Sequence, residues 1–138
     1  MIFVRPFKKE DFKAFTPIEL GWQEFKCPEM IQAIEDSDLA VTGLKDDIPV
    51  GCGGVHPIDD FLGEIWLRLS DECLKNKLDT LQWIREGLKI IEDTFPFKQL
   101  NATIRKDFRP SIKLVEFLGF KKVQEKDNWY IYSKRVKE

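Results

Sequence analysis

Gly63-Glu64-Ile65-Trp66-Leu67-Arg68-Leu69-Ser70-Asp71, with the long leucine-bearing run that follows it, decides the fold. In an extended chain Ile65, Leu67 and Leu69 share one face and Glu64, Trp66 and Arg68 the other, so residues 61–69 predict a strand. Ser70 and Asp71 are good helix N-cap residues. Beyond them Leu74, Leu78, Leu81, Leu88, Ile91 and Phe95 fall at steps of four, three, seven, three and four. With Ile84 they predict one long amphipathic helix whose leucine stripe is core, ended by Pro96. Leu100, Ala102 and Ile104 then alternate with Asn101, Thr103 and Arg105 as a further strand. Strand, helix and strand in this order predict a right-handed crossover between two parallel strands.

Outward from this unit the pattern stays mixed. Towards the N-terminus, Val50-Gly51-Cys52-Gly53-Gly54-Val55 reads as a glycine-rich strand. Residues 39–43 form a second strand, paired with it as a hairpin around Lys45-Asp46-Asp47. Residues 2–5 predict an opening strand, residues 8–15 a short helix, and residues 28–34 a second helix with Pro28 at its first position. His56-Pro57-Ile58-Asp59-Asp60 reads as a loop. Towards the C-terminus, Pro110 and Ser111 open a helix carrying Ile112, Val115 and Leu118, with Gly119 placed to cap it. Residues 120–123 and 129–136 predict a closing hairpin around Glu125-Lys126-Asp127-Asn128. The order β-α-α-β-β-β-α-β-α-β-β predicts an α+β fold (α/β mixed): a mixed, mostly antiparallel sheet of six to seven strands with helices on both faces. No repeat or linker divides it, so residues 1–138 read as a single domain.

Composition narrows the function classes. The 138 residues carry 22 Lys+Arg against 24 Asp+Glu, a net charge of −2, which gives no global field for nucleic acid. No apolar run reaches the roughly 18–20 residues of a membrane span, and Arg5-Pro6 interrupts any secretory signal. With 4 Trp and 11 Phe the chain can build a core and is not expected to be disordered. Cys27, Cys52 and Cys73 are odd in number and widely spaced, which points to a reducing, cytoplasmic setting and to thiols acting as small apolar residues. With a single histidine, His56, a zinc site is not expected. A nucleophilic cysteine would have to be Cys52 with His56, four residues on. Gly51-Cys52-Gly53-Gly54 is not a phosphate loop, because it lies within a strand and opens no helix.

The sequence resembles the Gcn5-related N-acetyltransferases, the GNAT superfamily, over nearly its whole length. Val4-Arg5-Pro6-Phe7-Lys8-Lys9-Glu10-Asp11 is similar to the family's opening I-R-P-x-x-x-x-D. Pro49-Val50-Gly51-Cys52-Gly53-Gly54-Val55 and residues 63–69 resemble its third and fourth strands. Leu114-Val115-Glu116-Phe117-Leu118-Gly119-Phe120 resembles the L-Y-x-x-x-G-F segment that ends its last helix. Small phage-encoded GNAT-like proteins are the subgroup it most resembles. The resemblance implies acetyl-CoA as cofactor, with pantetheine along Leu67, Arg68 and Leu69. It implies a small-molecule amine or a protein as acceptor, and a possible homodimer. Two features depart from the family. The Q/R-x-x-G-x-G/A pyrophosphate loop is replaced by Ser70-Asp71-Glu72-Cys73-Leu74-Lys75-Asn76-Lys77, which has no glycine and begins with two acids. The family's tyrosine acid falls on Val115.

The candidate site follows from both readings. Glu64 is the candidate general base, since a neighbouring Trp66 would raise its pKa by desolvation. The alternative is an ordinary charge arrangement of Glu64 and Arg68 around a packed Trp66. His56, in its loop, is a second candidate, and Tyr130 could replace the missing acid, unless it is only a half-buried strand aromatic. Lys75, Asn76, Lys77 and Ser111 are the candidate contacts for the distal part of the cofactor. Two functions are expected to compete: an N-acetyltransferase, and a GNAT-fold binding module that has lost the cofactor, with Trp22, Phe25, Trp66 and Trp129 available for an interface.

Overall fold

The computed structural model describes residues 2–22, 28–36 and 39–136. Alternating residues build seven strands: β1 Phe3–Pro6, β2 Ala40–Lys45, β3 Ile48–Pro57, β4 Leu62–Leu69, β5 Gln99–Arg105, β6 Lys121–Lys126 and β7 Trp129–Arg135. They form one sheet in the order β1-β2-β3-β4-β5-β7-β6. Only β4 and β5 run parallel; every other pair is antiparallel. The expected mixed, mostly antiparallel sheet is therefore present. The predicted loop at His56 is not: β3 runs on to Pro57, and His56 pairs across the sheet with Glu64. Cys27 and Phe25 lie outside the described residues.

Helices cover both faces, because each strand of the centre has two apolar faces to bury. On one face lie a 3-10 turn, Lys9–Lys13, and α1, Pro28–Asp36. Phe7, Phe12 and Ile34 pack there against Ala40, Cys52 and Trp66. On the other face lie α3, Lys77–Thr94, and α4, Arg109–Phe117. Trp83, Leu88, Ile91, Val115 and Leu118 pack there against Ile65, Leu67, Leu69, Leu100, Ala102 and Ile104. Gly119, at φ +96°, ends α4: its N–H donates to Glu116 O and the Phe120 N–H to Val115 O, both at 3.0 Å. This closes the helix in the left-handed conformation that glycine adopts without steric cost.

The long helix differs from its expectation. Asn76 interrupts it, leaving a short α2, Asp71–Lys75, before α3. The Asn76 side chain donates to Glu72 O at 2.8 Å and Thr80 Oγ1 donates to Cys73 O at 3.2 Å, so the side chains at the break satisfy two carbonyls there. The break turns the first half of the leucine stripe outward. Leu74 and Leu78 are 49% and 83% exposed, while Thr80, Trp83 and Gly87 take the buried face.

One polar group is built into the first face. Asp11 is buried and receives two hydrogen bonds from Arg5 at 2.7 and 2.8 Å. It also receives one from Thr42 Oγ1 at 2.6 Å and one from the Lys8 N–H at 2.9 Å. Burial pushes its carboxyl pKa up, but these donors together outweigh it and hold the group below the usual carboxylate range.

Candidate functional site

The seam between β4 and β5 holds over three register pairs only, Leu62 with Gln99, Gly63 with Leu100 and Glu64 with Asn101. Past these pairs the strands part. Backbone polar groups of a strand paired antiparallel alternate sides. The Ser70 N–H donates to Val50 O at 2.9 Å. The alternation then turns the backbone of Trp66 and Arg68 to β3, and that of Ile65, Leu67 and Leu69 to the gap. The Arg68 guanidinium stands 4.5 Å over the Phe12 ring, on the face of the 3-10 turn.

The chain fills this gap itself. Residues 17–22 run antiparallel to both strands: Pro17 bridges to Ser70 beside β4, and Trp22 to Ile104 on β5. The Ile18 N–H donates to Leu69 O and the Arg105 N–H to Gly21 O, both at 2.8 Å. From behind, Ser111 Oγ at the start of α4 donates to Leu20 O at 2.6 Å. Arg105 also pairs with Glu19 at 3.0 Å. The Trp22 side chain, 5% exposed, sits under α3 and α4 beside Ile65, Leu67, Ile84, Leu88 and Leu118, lining a cavity of about 50 Å³. Gly21, at φ +71°, makes the turn against the Phe108 ring, where a Cβ would come within 2.4 Å of a ring atom.

At the apex of the gap the polar candidates gather on the face of the 3-10 turn. Thr103 Oγ1 donates to Glu64 Oε1 at 2.5 Å, and His56 is the cross-strand neighbour of Glu64. Side chains so paired stand roughly 5 Å apart at Cβ. Tyr130 is not in this group. It faces the other side of the sheet, in register with Ile104, with the ammonium groups of Lys122 and Lys106 at 4.5 and 5.3 Å from its ring centre.

At the far end, α2 begins with Asp71 and Glu72. Glu72 lies 3.8 Å from the Lys45 ammonium. Lys75 and Lys77 are exposed, Asn76 is engaged with Glu72 O, and Ser111 is 2% exposed. Cys52 is fully buried, and burial above all pushes its thiol up to about 12; Cys73 is raised for the same reason and donates to Val50 O at 3.3 Å. Neither forms a thiolate at neutral pH. Cys52 and His56 are four positions apart on one strand, about 13 Å, beyond contact. Among the described residues no group of three His, Cys, Asp or Glu could hold a metal ion. No described helix is long and apolar enough to cross a membrane.

No family model and no curated protein matches the sequence. Solved structures do match. The ribosomal-protein-S5-alanine acetyltransferase of Vibrio fischeri superposes with a TM-score of 0.75 at 14% identity, covering 98% of this chain and 93% of that one. The PaiA N-acetyltransferase of Thermoplasma acidophilum, in complex with coenzyme A, gives 0.71 at 16% identity over 98% and 99% of the two chains. A GNAT-family acetyltransferase of Bacillus anthracis gives 0.68 at 15% over 99% and 96%. The fold is the GNAT fold. Along Leu67 and Leu69, where the GNAT resemblance places pantetheine, residues 17–22 occupy the gap; the Leu69 carbonyl accepts from the Ile18 N–H and Ser111 Oγ donates to Leu20 O. Two acids stand where a pyrophosphate would need unpaired N–H donors. What sequence reasoning missed is the role of residues 17–22. The available signal was the alternation of Ile18, Leu20 and Trp22 with Glu19 and Gly21 after Pro17, a short extended segment by period.

Proposed function

We propose that this protein is a GNAT-fold binding module, working by contact with a protein partner and not by transferring acetyl groups. The observation that carries this reading is the filling of the β4–β5 gap by residues 17–22. The acidic start of α2 supports it, since an anion there would meet like charge. A partner could be met on the outer side of α3 and α4, where Leu78, Leu81 and Phe117 share a groove with Gln82, Arg85, Glu86 and Lys89 and Arg85 lies 5.5 Å from the Phe117 ring centre. Apolar clusters of this kind on a polar surface mark contact sites.

A second reading, an N-acetyltransferase, is favoured by one specific observation. Glu64, His56 and Thr103 stand together at the point where β4 and β5 part, a place from which a base could serve an amine. Acetyl-CoA titrated into the purified protein separates the two. The binding-module reading expects no heat and no change in melting temperature at about 1 mM ligand, where a cofactor with micromolar affinity would stabilise the fold by about 4 kcal/mol. A saturable heat with a rise in melting temperature would replace this reading with the second.

A further inference from the structure

Residues 17–22 are not an ordinary core segment. They are held on one side by the Ile18 N–H bond to β4, on the other by the Arg105 N–H bond and the Arg105–Glu19 ion pair on β5, and from behind by Ser111 Oγ. Their anchor is imperfect. The buried Trp22 Nε1 meets no acceptor among the described residues, and the indole lines a cavity it does not fill. Gly21 carries the left-handed turn that lets the segment dip into the gap. An orphaned buried donor and unfilled space both reduce the holding strength of such an anchor. The bed beneath the segment is intact: Leu67 and Leu69 turn their backbone groups into the gap, ready to pair with an extended chain.

From this we infer that residues 17–22 form an autoinhibitory strap. It is a strand-like insert that competes for the β4–β5 gap with any extended, amide-bearing chain, and it leaves as a unit when the Trp22 anchor is withdrawn. The inference rests on the binding-module reading, because it names the element that shuts the gap. The bonds it breaks are those from the Ile18 N–H, the Arg105 N–H and Ser111 Oγ and the Arg105–Glu19 ion pair, so the strap-open state exposes these groups together.

Pantetheine is the probe. It carries two amides and no pyrophosphate, so the acidic α2 end has no bearing on the result. Amide hydrogen exchange and NMR shifts are recorded on the wild type, on Trp22→Ala and on Ser111→Ala. In Trp22→Ala the Ile18 and Arg105 amides are expected to exchange together, about tenfold faster or more, with distant β3 and β7 amides unchanged. Millimolar pantetheine is expected to shift the Leu67 and Leu69 amides in that variant and not in the wild type. Ser111→Ala removes one hydrogen bond without emptying the anchor pocket; it is expected to open the strap to a smaller degree and keeps the test valid if Trp22→Ala does not fold. Unchanged exchange at Ile18 and Arg105 in both variants, or opened variants that ignore pantetheine, overturns the strap. Acetyl-CoA binding tightly to the wild type instead overturns the binding-module reading, so the two failures are distinct.

Discussion

Asp11 shows how much one buried carboxylate can hold. It ties the 3-10 turn to β1 through Arg5 and to β2 through Thr42. Removing one partner of such a group leaves buried donors unmet, so Asp11→Asn is expected to cost about 2–4 kcal/mol, read as a lower urea midpoint with unchanged slope. The sign of the pH effect follows from the lowered pKa. The stabilisation is fully present above the unfolded value near 4 and is lost as pH falls through the lower folded value. Wild type is therefore expected to lose more stability than Asp11→Asn between about pH 4 and pH 2 in parallel denaturations. Arg5 and Asp11 were visible in the sequence as a spaced pair; their contact needed the sheet to bring Thr42 beside them. Cys52 was equally visible, and its burial, the cause of its raised thiol, came from Trp66 and Phe7 across the strands. Alkylation of the native protein followed by peptide mapping is expected to leave Cys52 unmodified.

At the scale of elements, period found the strands and misplaced one helix face. The alternation in residues 63–69 marks Ile65, Leu67 and Leu69 as one buried face, and they are buried; on the other face only Trp66 is, with Glu64 and Arg68 half-buried. The leucine spacing from 74 onward assumed an unbroken helix; Asn76 resets the phase, so Leu74 and Leu78 turn outward and Trp83 joins the buried Leu88 and Ile91, which the spacing placed correctly. Two substitutions in α3 separate these descriptions. Leu78→Ser removes an exposed side chain and is expected to change stability by about 0.5 kcal/mol or less. Trp83→Ala empties a position that is 3% exposed and is expected to cost about 3–5 kcal/mol, seen as a large fall in melting temperature. A single unbroken leucine face would reverse the order. The strap escaped sequence reading for a different reason. Its hydrogen-bonding partners Leu69, Arg105 and Ser111 lie about fifty to ninety residues away, so no local pattern encodes them.

In the whole molecule, the mixed sheet and the parallel pairing of β4 with β5 were legible, since both follow from the crossover between two strands and the antiparallel hairpins around them. The gap past Glu64 and its occupancy have no local pattern in the sequence. The sheet must also stop at both rims. β1 is four residues long, and β6 has all six side chains in water, three of them lysines, with its pairing shifted between Lys122 and Gln124. Short rims, charge and a bulge are what keep a sheet from adding foreign strands. These features oppose rim-to-rim growth of the sheet. Replacing Lys121 and Lys126 together by valine is expected to raise light scattering with concentration while leaving the melting temperature nearly fixed, and no change in scattering would assign solubility to some other part of the surface.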